Sequence, residues 1–180
     1  KPNSGKLSIG GNDAHEDVNK VLKDIGVISH QVFLYGDLTA EENLNFYSKM
    51  YEVHNASERI KTLLDKVGLI LRSQEPIRRY SRGMQQRLSI ARAILHSPRL
   101  LLLDEPYTGL DRNASAMLDQ ILRDYHQAGN CVIMVSHDID QVLNLARRVI
   151  LLDKGQIAFE SPIDPTSTEK VSSTLKQYLT

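Results

Sequence analysis

The run Leu100-Leu101-Leu102-Leu103, closed by Asp104-Glu105-Pro106, restricts the fold more than any other feature of the chain. Four adjacent apolar residues ending in a charged pair read as a strand buried on both faces, because a half-buried strand would alternate. The pattern around it repeats the theme. A helix from about Ala114 to Gln127 ends at Gly129, the run CVIMVS follows, then a helix from Ile139 to Ala146, then VILLD. Apolar runs alternating with amphipathic helices predict an α/β fold with a mostly parallel sheet. Residues 157 to 159 add a last strand after the Lys154-Gly155 turn. The segment from Pro162 to Thr168 reads as a loop into a short terminal helix of little weight.

The front of the chain is organised differently. Lys1-Pro2-Asn3-Ser4-Gly5 is turn chemistry, Leu7-Ser8-Ile9 a short strand, Gly10-Gly11-Asn12-Asp13 a turn, and residues 25 to 29 a strand leading into His30-Gln31. Three helices follow. The first opens at Thr39, where Glu42 has capping-box spacing, and the second opens at Asn55 with Glu58 at the same spacing and stops at Gly68. The third runs from about Ser81 to His96, before Pro98, with Met84, Leu88, Ala91 and Leu95 as its core face. Residues 1–38 and 97–161 are thus portions of one α/β core, 39–96 a helical subdomain and 162–180 a tail.

Composition narrows the partners. Lys and Arg together number 22, as do Asp and Glu, so no global field draws the chain to nucleic acid or acidic lipid, and no nucleic-acid partner is expected. No stretch approaches the roughly 18 apolar residues of a membrane span, so any spanning falls to another polypeptide. The single Cys131, inside CVIMV, cannot form an internal disulfide and is expected to be an inert core thiol in a reducing compartment. His15, His30, His54, His96 and His126 have no partner at metal-ligand spacing.

In a parallel sheet, functional groups gather beyond the carboxyl ends of the strands. Asp104-Glu105, Ser136-His137-Asp138 and His30-Gln31 all follow strands and are expected on one rim. A strand ending in a solvated turn would also carry an acidic pair. The order of the surroundings separates the two readings: Asp-Glu-Pro, Gly-Leu-Asp, a helix, then an apolar strand ending in Ser-His-Asp.

RLLLLDEPYTGLD resembles the Walker B motif and D-loop of ABC transporter ATPases, and VSHD resembles their H-loop. Tyr80-Ser81-Arg82-Gly83-Met84-Gln85-Gln86-Arg87 resembles their signature, and Gln31 stands where the Q-loop glutamine is expected. This likeness spans essentially the whole chain, in the family's order. It implies a P-loop NTPase-like fold, ATP and Mg2+ as ligands, and a role for each matched residue. Asp104 would help hold magnesium, Glu105 would orient or deprotonate the attacking water, and His137 would contact the γ-phosphate region. Gln31 would link magnesium and that water to the membrane-facing side. Ser81 and Gly83 would offer a hydroxyl and backbone amides to a γ-phosphate held by a second ATPase subunit, and Asp111 would act between the two sites.

Two departures stand out. The signature has Arg82 where the family commonly has glycine and Met84 where it commonly has glutamine, a Ser-x-Gly-Met version similar to export-type members. No G-x-x-x-x-G-K-[ST] segment is present; Ser4-Gly5-Lys6 is followed by Leu7 instead of a hydroxyl residue. KPNSGKLSIGG resembles the stretch after the P-loop helix, so the phosphate loop is expected upstream of Lys1, and this chain alone is expected to be inactive.

The resemblance implies an ATP-hydrolysing subunit working as a homo- or heterodimer on membrane-spanning permease subunits, peripheral to the cytoplasmic face of the membrane. It most resembles haem-exporter (cytochrome c-type biogenesis), multidrug-type or ABC-2 ATPases. A non-transport ABC ATPase acting on ribosomes or DNA ends is disfavoured by the roughly fifty residues between Gln31 and Ser81, too few for a long coiled-coil insertion. A non-catalytic regulatory subunit follows if the chain is naturally complete.

Overall fold

The leucine run forms a strand paired on both sides. The computed structural model describes residues 3–29, 31–164 and 166–179, so His30 and the Lys1-Pro2 end of the first turn lie outside the described residues. The chain divides into two units, Lys1–Val135 and Ser136–Thr180.

In the larger unit the short strands β1 (Ser8–Ile9) and β2 (Asn12–Asp13) form an antiparallel hairpin, followed by α1 (Val18–Lys23) and β3 (Ile25–Ile28). Then come α2 (Ala40–Met50), α3 (Ala56–Lys66), two single 3-10 turns at Ile70–Arg72 and Ile77–Arg79, and α4 (Arg82–Ile94). The strand β4 (Leu100–Asp104), α5 (Arg112–Gln127) and β5 (Cys131–Val135) complete it. β4 lies between β3 and β5, parallel to both. Ile28 faces Leu103, and Leu103 faces Met134, so the three strands end in step.

One sheet face packs against α4. Gly26, Ile28, Leu101 and Leu103 are buried there, and a β-carbon on Gly26 would lie 2.3 Å from the Ala93 carbonyl oxygen and 2.7 Å from Leu101 Cδ2. Only a residue without a side chain allows that approach. The opposite face departs from expectation. Cys131, Ile133 and Val135 alternate outward along β5, with Ile133 and Val135 52% and 60% exposed. Cys131 is therefore an exposed thiol rather than a core residue. An unbroken apolar run does not reveal that only one of its two faces is packed.

Capping separates the helices that the sequence bounds well from one it does not. The Thr39 hydroxyl accepts from the Glu42 amide at 3.1 Å and the Glu42 carboxylate accepts from the Thr39 amide at 2.8 Å, a complete capping box at α2. Asn55 makes no such bond. It takes left-handed backbone (φ 53°), which turns its side chain away from the first turn of α3. The far end of α3 stops as expected, with Gly68 at φ 66° and the Leu69 amide reaching back to the Leu64 carbonyl at 2.7 Å. On α4, Leu88, Ala91 and Leu95 are buried, but Met84 is only partly so.

The smaller unit contains α6 (Ile139–Leu145), the strands β6 (Arg148–Asp153) and β7 (Gln156–Pro162), and α7 (Thr168–Leu179). VILLD does not extend the parallel sheet. It pairs antiparallel with β7 across Lys154 and Gly155, both at positive φ, because a two-residue turn of that hand closes only a hairpin. The terminal helix also matters more than its sequence suggests. Val171 and Leu175 form this unit's buried cluster with Val149, flanked by Val142, Leu151 and Phe159.

Two substitutions test this packing by urea unfolding of the chain. Gly26→Ala should cost about 3 kcal/mol by overpacking, and Thr39→Ala about 1 kcal/mol by losing the cap. A Gly26→Ala variant as stable as the parent would contradict the close approach of α4.

Candidate functional site

The site is built on three chain segments that leave the sheet or start a helix close together. The first follows β4. Asp104 is exposed at the strand's end, and Glu105 continues the pairing, its amide donating to the Val135 carbonyl at 3.0 Å. Glu105 then turns the chain at φ 47°, a left-handed conformation that costs a residue with a β-carbon about 1–2 kcal/mol. Beyond it, Pro106 is buried and the Tyr107 hydroxyl donates to Asp119 Oδ1 of α5 at 2.6 Å. Thr108 and Leu110 donate to the carbonyls of Glu105 and Tyr107. Asp111 ends the loop as the N-cap of α5, accepting from the Ala114 amide at 2.8 Å. The acidic pair thus sits on a loop fastened at every turn.

The second segment is the start of α4. Ser81 Oγ accepts from the Met84 amide at 3.3 Å, which leaves its own O–H able to donate. The amides of Arg82 and Gly83, in the first turn, have no intrahelical acceptor and point out of the helix start. That end carries the positive pole of the helix dipole and suits an anion.

These two segments touch. A β-carbon on Gly83 would lie 3.1 Å from the Gly109 carbonyl oxygen, and one on Gly109 would lie 3.6 Å from the stem of Arg82. Deeper in, the buried Gln86 donates from Nε2 to the Pro106 carbonyl oxygen at 3.1 Å. The sequence alone does not single out Gln86 and Gly109 as site residues. Gln86 does leave a signal: it precedes Ile90 by four residues and Ala93 by seven, a polar residue in the apolar stripe of α4.

The third segment follows β3. Gln31 is exposed, and the Ser29 hydroxyl donates to its carbonyl at 3.0 Å. A cleft of about 270 Å³ is lined by Val32, next to Gln31, by Arg82, Gln85 and Gln86 from α4, and by Thr108 from the acidic loop. Gln31, Ser81, Gly83, Asp104, Glu105 and Asp111 do not line this cleft themselves; the segments that carry them do, through the neighbours Val32, Arg82 and Thr108. A second cleft, about 320 Å³ beside Tyr51, Arg59 and His96, is lined by none of these three segments.

His137 belongs to the smaller unit. It is exposed, between Ser136, whose hydroxyl accepts from the Asp138 amide at 3.1 Å, and Asp138, which caps α6 by accepting from Gln141 at 3.1 Å. The turn holding His137 is thus shaped by its two neighbours.

Among the described residues, no group of three or more His, Cys, Asp or Glu is arranged to hold a metal by itself. A magnesium ion does not require one. It binds through one or two carboxylates and completes its octahedron with water and substrate phosphate oxygens, and Asp104, exposed at the end of β4, is a donor of that type.

Comparison with known proteins follows the same line. The ABC transporter family model matches residues 1–108. The linearmycin resistance ATP-binding protein LnrL of Bacillus subtilis is 33% identical over 86% of this chain and 50% of its own length. The bacitracin transport ATP-binding protein BcrA of Bacillus licheniformis is 34% identical over 91% of this chain and 54% of its own. This chain thus spans about half the length of these relatives. A solved dimeric ATP-binding cassette, in a post-hydrolysis state bound to ADP and Pi, superposes with a TM-score of 0.81 at 26% identity, over 91% of this chain and 75% of that one.

Glu105→Gly should be more stable than Glu105→Ala by about 1 kcal/mol, because both lose the carboxylate but only glycine is relieved of the left-handed strain. Equal stability of the two variants in urea melts would show that the backbone at this position is not strained.

Proposed function

This chain belongs to the ABC transporter ATP-binding family, and on that premise we propose that it carries the hydrolytic and signature faces of an ATP-driven exporter subunit. The observation that supports this best is the convergence of the Gln31, signature and acidic-loop segments on one cleft, with Gln86 and the Gly83–Gly109 contact holding the last two together.

Each group then has a chemical task. Magnesium, bound with ATP, would neutralise charge on the β- and γ-phosphates. Asp104, at the end of a strand buried on either side by β3 and β5, is rigid enough to be a fixed ligand for that ion. Glu105, on a loop pinned by Tyr107 and Pro106, orients the attacking water and accepts its proton. Gln31, just after β3, would take the role its place in the motif order implies, linking magnesium and that water to the membrane-facing side, and the motif that carries His137 would give it a γ-phosphate contact. The Ser81 hydroxyl and the Arg82 and Gly83 amides face an ATP held by a second subunit, with Asp111 between the two sites. The 180 residues contain no G-x-x-x-x-G-K-[ST] loop, so the lysine and amides that cradle the phosphates are not among them, and this chain alone is expected not to hydrolyse ATP.

No helix among the described residues is long and apolar enough to cross a membrane. We assign the spanning to permease partners and place the subunit at the cytoplasmic face. The segment after Gln31 and α2 together offer them an apolar surface: Phe33, Tyr35, Phe46 and Met50 are all about half exposed, and the Tyr35 and Phe46 rings meet edge-on at 4.9 Å. A cytoplasmic apolar segment of the permease seated there would touch the same short stretch that carries Gln31. The cargo class we favour is haem- or multidrug-type, in line with relatives named for linearmycin resistance and bacitracin transport.

In the protein encoded by the complete reading frame, Glu105→Gln should bind Mg-ATP with near-parental affinity and hydrolyse it about 10²–10⁴-fold more slowly. Turnover within twofold of the parent would refute the role given to Glu105.

A further inference from the structure

The signature helix carries a buried cation that none of these roles employs. Arg92 on α4 is 8% exposed. Among the described residues no carboxylate pairs with it, and its Nε has no hydrogen-bond partner. Its Nη2 donates to the Val27 carbonyl oxygen of β3 at 2.7 Å. Its guanidinium carbon stands 5.4 Å from the centre of the Phe33 ring and 5.4 Å from that of Tyr47. Burial lowers its pKa from the ordinary arginine value, and the neighbouring Tyr47 opposes that shift. A cation without a counter-ion is a costly occupant for a helix face otherwise made of Leu88, Ala91 and Leu95, so packing alone does not call for it.

What Arg92 touches explains its place. Val27 precedes Gln31 by four residues and Phe33 follows it by two, so one guanidinium holds both flanks of the Gln31 segment. The downstream flank is fixed further. The Tyr47 hydroxyl donates to the Phe33 carbonyl at 2.5 Å, and Phe33 itself is held in left-handed backbone at φ 50°. The buried Asn43 then accepts from the Tyr35 amide at 2.8 Å and donates to the Tyr35 and Thr39 carbonyls at 3.0 and 2.9 Å. A planar guanidinium can donate in its plane to a carbonyl while presenting its faces to aromatic rings. A lysine ammonium, a point charge, cannot hold this set of partners together.

We propose that Arg92 is the positioning residue for Gln31: it locks the Gln31 segment to the signature helix, so that a shift of α4 is transmitted to the glutamine, and the reverse. This rests on the reading of Gln31 as the glutamine that meets the magnesium and the attacking water. Arg92 touches neither and acts only through the path of the chain around Gln31.

The test uses the protein encoded by the complete reading frame, with Arg92→Lys, Phe33→Leu and Gln31→Ala variants. Hydrogen exchange at the Tyr35 amide should quicken about tenfold or more in Arg92→Lys while the β4 amides keep their protection. Phe33→Leu, at a half-exposed position, removes one ring from the guanidinium while leaving Arg92 itself in place, and should loosen the same amide, which keeps the test decisive if Arg92→Lys does not fold. In ATP hydrolysis, Arg92→Lys should lower kcat about tenfold with KM within about twofold, and the Arg92→Lys/Gln31→Ala double variant should be no slower than Gln31→Ala alone. Unchanged exchange at Tyr35, or loosening spread over the whole sheet, overturns the proposal. If Gln31→Ala slows turnover but Arg92→Lys leaves kcat intact, Arg92 alone loses its role. If Gln31→Ala is itself silent, the reading of Gln31 fails, and the Arg92 proposal with it.

Discussion

The pairing of β4 with a parallel strand on each side is the constraint from which the site geometry follows. Because Leu100 to Leu103 are held in register with both β3 and β5, the chain leaves all three strands at the same level. Asp104 is then positioned by backbone hydrogen bonds, not by the flexibility of a loop. The packing of α4 against Gly26 and Leu101 supplies the second fixed direction. The start of that helix comes to rest against the acidic loop, and its later turns reach the Gln31 segment through Arg92. One helix thus bears on both sides of the cleft.

That arrangement accounts for two residues with unusual environments. Glu105 occupies left-handed backbone where glycine would be at ease, as Lys154 does in its hairpin turn, but Glu105 does so beside the acidic loop's Asp104. Gln86 is a polar side chain in an apolar stripe, satisfied by a carbonyl of the acidic loop. Both place conformational cost where chemistry is proposed, and in both the surrounding contacts hold the group in place.

Much of this is legible in the residues themselves. The leucine run, the Thr39–Glu42 box and the Gly68 and Gly129 stops are local signals whose physics lies within a few residues, and each appears in the structure. What stays hidden is non-local. CVIMV does not say which face will be packed, so Cys131, expected in the core, lies exposed. Asn55 has capping spacing but a left-handed backbone that prevents the cap. The terminal helix gains its importance only when Val171 and Leu175 find Val149. The order of the motifs discloses the family, while Gln86, Gly109 and Arg92 emerge only once α4 is seen against its neighbours.

We propose that the acidic loop and the Ser81–Gly83 helix start belong to opposite halves of a site completed across a dimer of ATPase subunits. Light scattering on the Glu105→Gln variant of the protein encoded by the complete reading frame distinguishes the outcomes. A shared site gives a monomer without nucleotide and a dimer with Mg-ATP, with Ser81→Arg abolishing the dimer. A protein that saturates with Mg-ATP and remains a monomer would contradict it.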